Sequence, residues 1–162
     1  MPAKADKNYL TRQGYQRIIA EMTALTMDER PGIVREVATA AAEGDRSENS
    51  AYIYGKKRLR EIDRRLTFLK KRLRIAEVVD RPEITPNRVV FGATVDVEDD
   101  DGEERAFRIV GVDEVDLKRS HISWRSPVGR ALLGKKKGDN VTVQTAGGER
   151  EFVVLKVRWV EP

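Results

Sequence analysis

Tyr52, Leu59, Leu66 and Leu73 stand seven residues apart, and so do Gly55, Ile62, Leu69 and Ala76, offset by three. Nothing else in the chain narrows its fold as much. Apolar residues at those two positions of nearly four heptads form the seam of a coiled coil, and such a seam has to be covered by another helix. The partner is upstream. Tyr15, Ile18, Ile19, Met22 and Leu25 fall on one helical face, with Thr11 as an N-cap, and Ile33, Val34, Val37 and Ala41 resume the stripe beyond Pro31. Proline is tolerated in a first helical turn, so two helices and one kinked helix both fit. Few residues separate the arms near Gly44-Asp45, which predicts an antiparallel hairpin. A helix over 48–77 is about 45 Å long at about 1.5 Å per residue. An arm of that length has to carry its turn into solvent.

The pattern changes near residue 80. Asp80-Arg81-Pro82-Glu83-Ile84-Thr85-Pro86-Asn87 holds two prolines that cannot sit inside a helix, and beyond Val89 the apolar residues alternate. The boundary is expected there, giving domains 1–80 and 81–162. Strands are expected at Thr94–Glu98 and Ala106–Val110 around the Asp101-Gly102 turn, at Val141–Val143, and from Phe152 to Val160 after Gly147-Gly148. Ser126 would cap a short helix from Pro127 to Leu133. The fold class is therefore α+β, a helical hairpin followed by a β-rich domain.

Composition removes several functions. The 162 residues contain no cysteine and one histidine, His121, which excludes thiolate zinc sites, disulfides and histidine-rich metal centres. No apolar run is long enough for a membrane span or a secretory signal, so a cytoplasmic protein is expected. His121 has no nucleophile motif beside it and reads as structural. The glycines form no phosphate loop.

Charge is concentrated. Residues 56–74 carry ten basic side chains against Glu61 and Asp63, a local +8 within a chain of net +4. Local pairing cannot neutralise that, so the run reads either as a solvated face or as a phosphate track. At the turn, Glu43, Asp45 and Glu48 place three carboxylates within six residues. Carboxylates suit Mg²⁺, which takes one or two from a protein and completes its octahedron with water and phosphate. They equally suit helix starts, and Asp45 followed by Glu48 has the spacing of a capping box.

The run Gly44-Asp45-Arg46-Ser47-Glu48-Asn49, with Tyr52, Tyr54 and Lys56-Lys57-Arg58-Leu59-Arg60-Glu61-Ile62-Asp63-Arg64-Arg65, resembles the bacterial Gre transcript cleavage factors, of the GreB type. Phe91-Gly92-Ala93, Phe107–Gly111 and Ser126–Leu133 are similar to that family's C-terminal domain. The resemblance covers about Tyr9 to Val160 and keeps the family's order. It implies an FKBP-like C-terminal domain that docks on RNA polymerase beside its secondary channel. It also implies a hairpin that reaches the polymerase active site and stimulates cleavage of the RNA 3′ end in backtracked complexes. Asp45 and Glu48 match the two tip acids, which would share Mg²⁺ only within that complex. The protein would have no active site or cofactor of its own and act as a monomer. Lys56, Lys57, Arg60 and Arg64 would hold the extruded RNA, and Arg125, Ser126 and Pro127 would dock. Ser50-Ala51 stand where the family often has a third acid, and Arg125 where it commonly has an acid. The alternatives, in order, are a channel-occupying regulator without cleavage activity, a free-standing nucleic-acid-binding coiled coil, and a prolyl isomerase.

Overall fold

The structure, a computed structural model, describes residues 7–44, 48–84 and 86–159. Its elements run β1 (Asn8–Thr11), α1 (Arg12–Thr23), a π-helical segment (Ala24–Glu29), α2 (Arg30–Ala42), α3 (Ser50–Arg74) and β2 (Ala76–Val79). Then follow β3 (Thr94–Asp99), β4 (Glu104–Val110), β5 (His121–Ser123), α4 (Pro127–Leu132), β6 (Asn140–Thr145) and β7 (Gly148–Arg158). They form two compact units, Tyr15–Ala76 and the remainder.

In the helical unit the heptad seam is the buried face. Gly55, Ile62, Leu66 and Leu69 are buried, and Tyr52, Leu59 and Leu73 are half-buried. The opposing arm contributes Ile18, Leu25 and Ala40, with Ile33 and Val37 half-buried. Ile19 and Val34, expected on the stripe, are 39% and 42% exposed. For Val34, which lies beyond them, the π-helical turns explain the change of phase. Pro31 has no N–H and its ring crowds the carbonyl four residues earlier. The preceding turns widen, with the Arg30 N–H bonding to the Leu25 carbonyl, five residues back. The arm stays helical through the proline, and the extra residue moves Ile33 and Val37 onto the seam while Val34 turns outward. Arg65 with Glu21 (2.7 Å), Arg58 with Glu29 (2.6 Å) and Arg30 with Asp63 (2.9 Å) bridge the arms in antiparallel order.

The second unit is a five-stranded sheet in the order β5-β4-β3-β7-β6, with β4 and β5 parallel and the other neighbours antiparallel. Its core is built from Val95, Val97, Ile109, Val141, Phe152 and Val154, closed by Leu132 of α4. In β7 the core residues are Phe152 and Val154, then Val157. The register against β3 shifts there, with Asp96 opposite Lys156 but Val97 opposite Val154. That bulge at Leu155 inverts the alternation.

The N-terminal residues belong to this second unit, not to the hairpin. Residues 7–14 cluster with 77–159, so the compact units divide the chain at Gly14 and at Ala76. The cause is the two-stranded sheet of β1 and β2, reinforced by Arg12, whose guanidinium grips Asp80 at 3.0 and 2.8 Å. Buried Glu114 completes the attachment: its carboxylate accepts from the Thr11 N–H (3.0 Å), the Thr11 hydroxyl and the Gly111 N–H (2.8 Å). Thr11 is the expected cap of α1, its Oγ1 accepting from the Gly14 N–H at 3.1 Å. A Cβ on Gly14 would overlap the Glu114 carboxylate.

Candidate functional site: hairpin tip, basic face and docking loop

The turn between α2 and α3 is organised by Asn49. Its Oδ1 accepts from the Tyr52 N–H at 3.2 Å, which makes Asn49 the N-cap of α3. Its Nδ2 donates to the Ala40 carbonyl at 2.9 Å, tying the start of one arm to the end of the other. One side chain thus satisfies a free donor at the start of α3 and adds a second donor to the Ala40 carbonyl, which already accepts from the Glu43 N–H. α3 begins at Ser50, so Glu48 precedes the helix and is not its third residue. Glu48 lies exposed just before the cap. Asp45 lies outside the described residues. Asn49 was legible as part of the tip motif, but its bond to Ala40 joins positions nine residues apart and leaves no sequence signal.

On α3, Lys56, Lys57, Arg60 and Arg64 are all exposed and lie on the face away from the buried seam. Among the described residues no acid forms an ion pair with any of them. The two acids inside the basic run are engaged elsewhere. Glu61 is held by Arg58 at 3.3 Å, and Asp63 by Arg30. The hydrogen bond and charge of Arg30 hold the Asp63 carboxyl below the usual carboxylate range. The outer face is left positive.

In the β-rich unit, Arg125 is exposed, its guanidinium 5.1 Å from the Trp124 ring centre. Trp124 packs edge-on against Tyr9 with centroids 5.3 Å apart. Ser126 serves the loop itself: its hydroxyl donates to the Ser123 carbonyl at 2.6 Å and accepts from the Gly129 N–H at 3.0 Å, capping α4. Pro127 follows as the first helical residue, exposed. The Trp124-Arg125 pair and Pro127 are what this loop offers to solvent.

One other group of acids lies close together among the described residues, Asp99, Asp100 and Asp101 in the β3–β4 turn. Asp99 accepts from Arg105 (2.8 Å) and from the backbone of Asp101 and Glu103 (both 3.0 Å), and Asp100 pairs with Arg150. This is turn chemistry. Among the described residues no helix is long and apolar enough to cross a membrane.

Both units match family models. Residues 8–78 match the N-terminal domain of transcription elongation factors, and residues 84–158 the C-terminal domain of transcription elongation factors GreA/GreB. The chain is 51% identical over 155 residues to transcription elongation factor GreB of Yersinia pestis, covering 96% of this chain and 91% of the relative. It is 50% identical over 159 residues to that of Pasteurella multocida, covering 97% and 99%. Against that of Pseudomonas aeruginosa it is 48% identical over 158 residues, covering 98% and 94%. With both units matched and the relatives covered almost end to end, the chain belongs to the GreA/GreB family of transcription elongation factors.

Proposed function

We propose that this protein binds RNA polymerase, enters its secondary channel with the helical hairpin, and stimulates cleavage of the 3′ RNA in backtracked complexes. The observation that carries the reading is at the tip. Asn49 caps α3 and ties it to the end of α2, so the Glu48 carboxylate is not needed as the cap and stands exposed beside it. α3 spans 25 residues, about 37 Å at about 1.5 Å per residue, a reach suited to a channel.

The residues fit a divalent cation held jointly with the polymerase. An exposed carboxylate is the hard oxygen donor Mg²⁺ takes, and one or two from this protein would be enough. In such a complex the metal would activate water and stabilise charge developing at the scissile phosphate. This chain's share is placement: Asp45 and Glu48 would bring negative charge to the tip, and the Asn49 staple fixes the backbone next to Glu48. Lys56, Lys57, Arg60 and Arg64 would engage the phosphates of the extruded RNA. Arg125 and Pro127, with Ser126 holding the loop, would meet the polymerase surface. The protein would carry no active site of its own.

Asp45→Ala and Glu48→Ala test this. Each should abolish stimulated cleavage in a halted, backtracked complex and leave polymerase binding and thermal unfolding near wild type. Full cleavage by both variants would remove the tip acids from the mechanism. Tight binding by the wild type without any cleavage would make the protein a channel-occupying regulator.

A further inference from the structure

Two aromatic side chains on α3 stand exposed, off the seam that the opposing arm covers. Tyr54 is 65% and Phe68 45% exposed. They are two heptads apart, so they occupy the same face, about 21 Å from each other along the axis. Lys57, Arg64 and Lys71 share that face at heptad spacing, each about 10 Å from the next. The face thus reads aromatic, cation, acid, cation, aromatic, cation at positions 54, 57, 61, 64, 68 and 71. The acid is Glu61, engaged by Arg58. Arg65 lies over Phe68, its guanidinium 5.4 Å from the ring centre.

Resting on the reading that the hairpin meets extruded RNA, we propose that Tyr54 and Phe68 form a base-stacking platform for that single strand, in register with Lys57, Arg64 and Lys71. Single strands are held by this combination: cations track the phosphates while aromatic rings take bases of any sequence on their faces. A purely electrostatic strip has no use for two exposed rings, and a dry protein contact has no use for three cations alternating with them. Tyr54 is six residues beyond Glu48, so its base would lie close to the tip. Phe68 would take one further up the arm. The platform therefore favours RNA extruded far enough to pass both rings, without base preference.

The experiment uses the full chain with its polymerase, halted on RNAs extruded by two nucleotides or by about ten. In the long set, versions carry abasic nucleotides through the extruded segment. Tyr54→Ala and Phe68→Ala should each slow cleavage of the long intact RNA at least about fivefold, the low end for one lost aromatic stack. Tyr54→Phe should retain the wild-type rate. Abasic RNA should slow the wild type similarly and remove most of the difference between wild type and Tyr54→Ala. Unchanged cleavage by both alanine variants would overturn the platform. So would a Tyr54→Ala loss that persists undiminished on abasic RNA, which would assign the ring to a polymerase contact. Comparing intact with abasic RNA on the wild type decides the matter if a variant fails to fold. If the wild type stimulates no cleavage, the function proposed above fails by itself. Fluorescence anisotropy of the isolated protein with labelled intact and abasic RNA then still tests the platform, which predicts weaker binding of the abasic strand, and equal affinities would overturn it.

Discussion

Gly55 and Val37 meet across the hairpin with no room between them: a Cβ on Gly55 would overlap Val37 Cγ2. Glycine in a helix interior ordinarily costs about 1 kcal/mol relative to alanine, so its presence in α3 reflects this approach of the arms. Gly55→Ala gains that propensity but overpacks the seam, at a typical cost of about 1–3 kcal/mol. The variant should be neutral to about 2 kcal/mol less stable, although it is the better helix former. Val37→Ala should relieve the overlap, with a coupling of about 0.5–3 kcal/mol in the favourable direction. Thermal unfolding of both single variants and the double variant measures this. Additive effects would mean that the arms shift apart freely at Gly55.

The same seam shows why part of this architecture could be read from the residues and part could not. Burial of α3 against a single partner imposes a repeat, so Tyr52 through Leu73 were visible as a coiled coil. Ala76 continued the repeat by coincidence, because the chain has already entered β2 there. β1 and β2 are four residues each, too short to show alternation, and they pair across the whole hairpin. Their pairing is what moves residues 7–14 into the β-rich unit. Pro31 announced an interruption, but the widened turn that absorbs it could not be inferred from composition. Glu114 was invisible as a structural residue because its partner Thr11 lies 103 positions away. At the tip, the sequence leaves Asp45 and Glu48 open between ligand and cap; the structure shows that Asn49, not Glu48, caps α3.

Acid should weaken the β-rich unit through Asp99. Its carboxyl is held below the usual carboxylate range, first by the hydrogen bond from Arg105 and then by the Glu103 and Asp101 N–H groups. A carboxyl with a depressed folded-state pKa favours folding above its unfolded value, about 3.9, and that contribution is lost as pH falls through the folded value. Stability should therefore hold down to about pH 4 and decline below it. Asp99→Asn should be less stable at neutral pH and show a shallower decline in acid. Chemical denaturation at pH 7, 5, 4 and 3 tests this. Parallel curves for the two proteins would mean that Asp99 titrates alike folded and unfolded.

Reversing Lys56, Lys57, Arg60 and Arg64 to Glu should slow cleavage of long extruded RNA more than that of short. The wild-type advantage should shrink as salt rises, because phosphate contacts release condensed counterions. Folding should change little, since none of the four pairs with an acid among the described residues. Cleavage rates at several salt concentrations provide the check. Equal rates for both proteins at low salt would make the strip a solvated face.

Arg125 sets the last expectation. It is exposed over Trp124, which is itself packed against Tyr9, so the charge sits on a supported aromatic base. A guanidinium so placed presents donors suited to a carboxylate on the partner. Left exposed, such a pair contributes only about 0–1 kcal/mol; desolvated in an interface, its truncation costs about 2–5 kcal/mol. Arg125→Asp should therefore weaken binding to the protein's own polymerase. With a polymerase whose own factor carries an acid at this position, the same change should strengthen binding. Trp124→Ala should weaken both by removing the support beneath the charge. Titration of the three proteins against the two polymerases separates charge matching from loss of the loop, and equal affinities throughout would place Arg125 outside the interface.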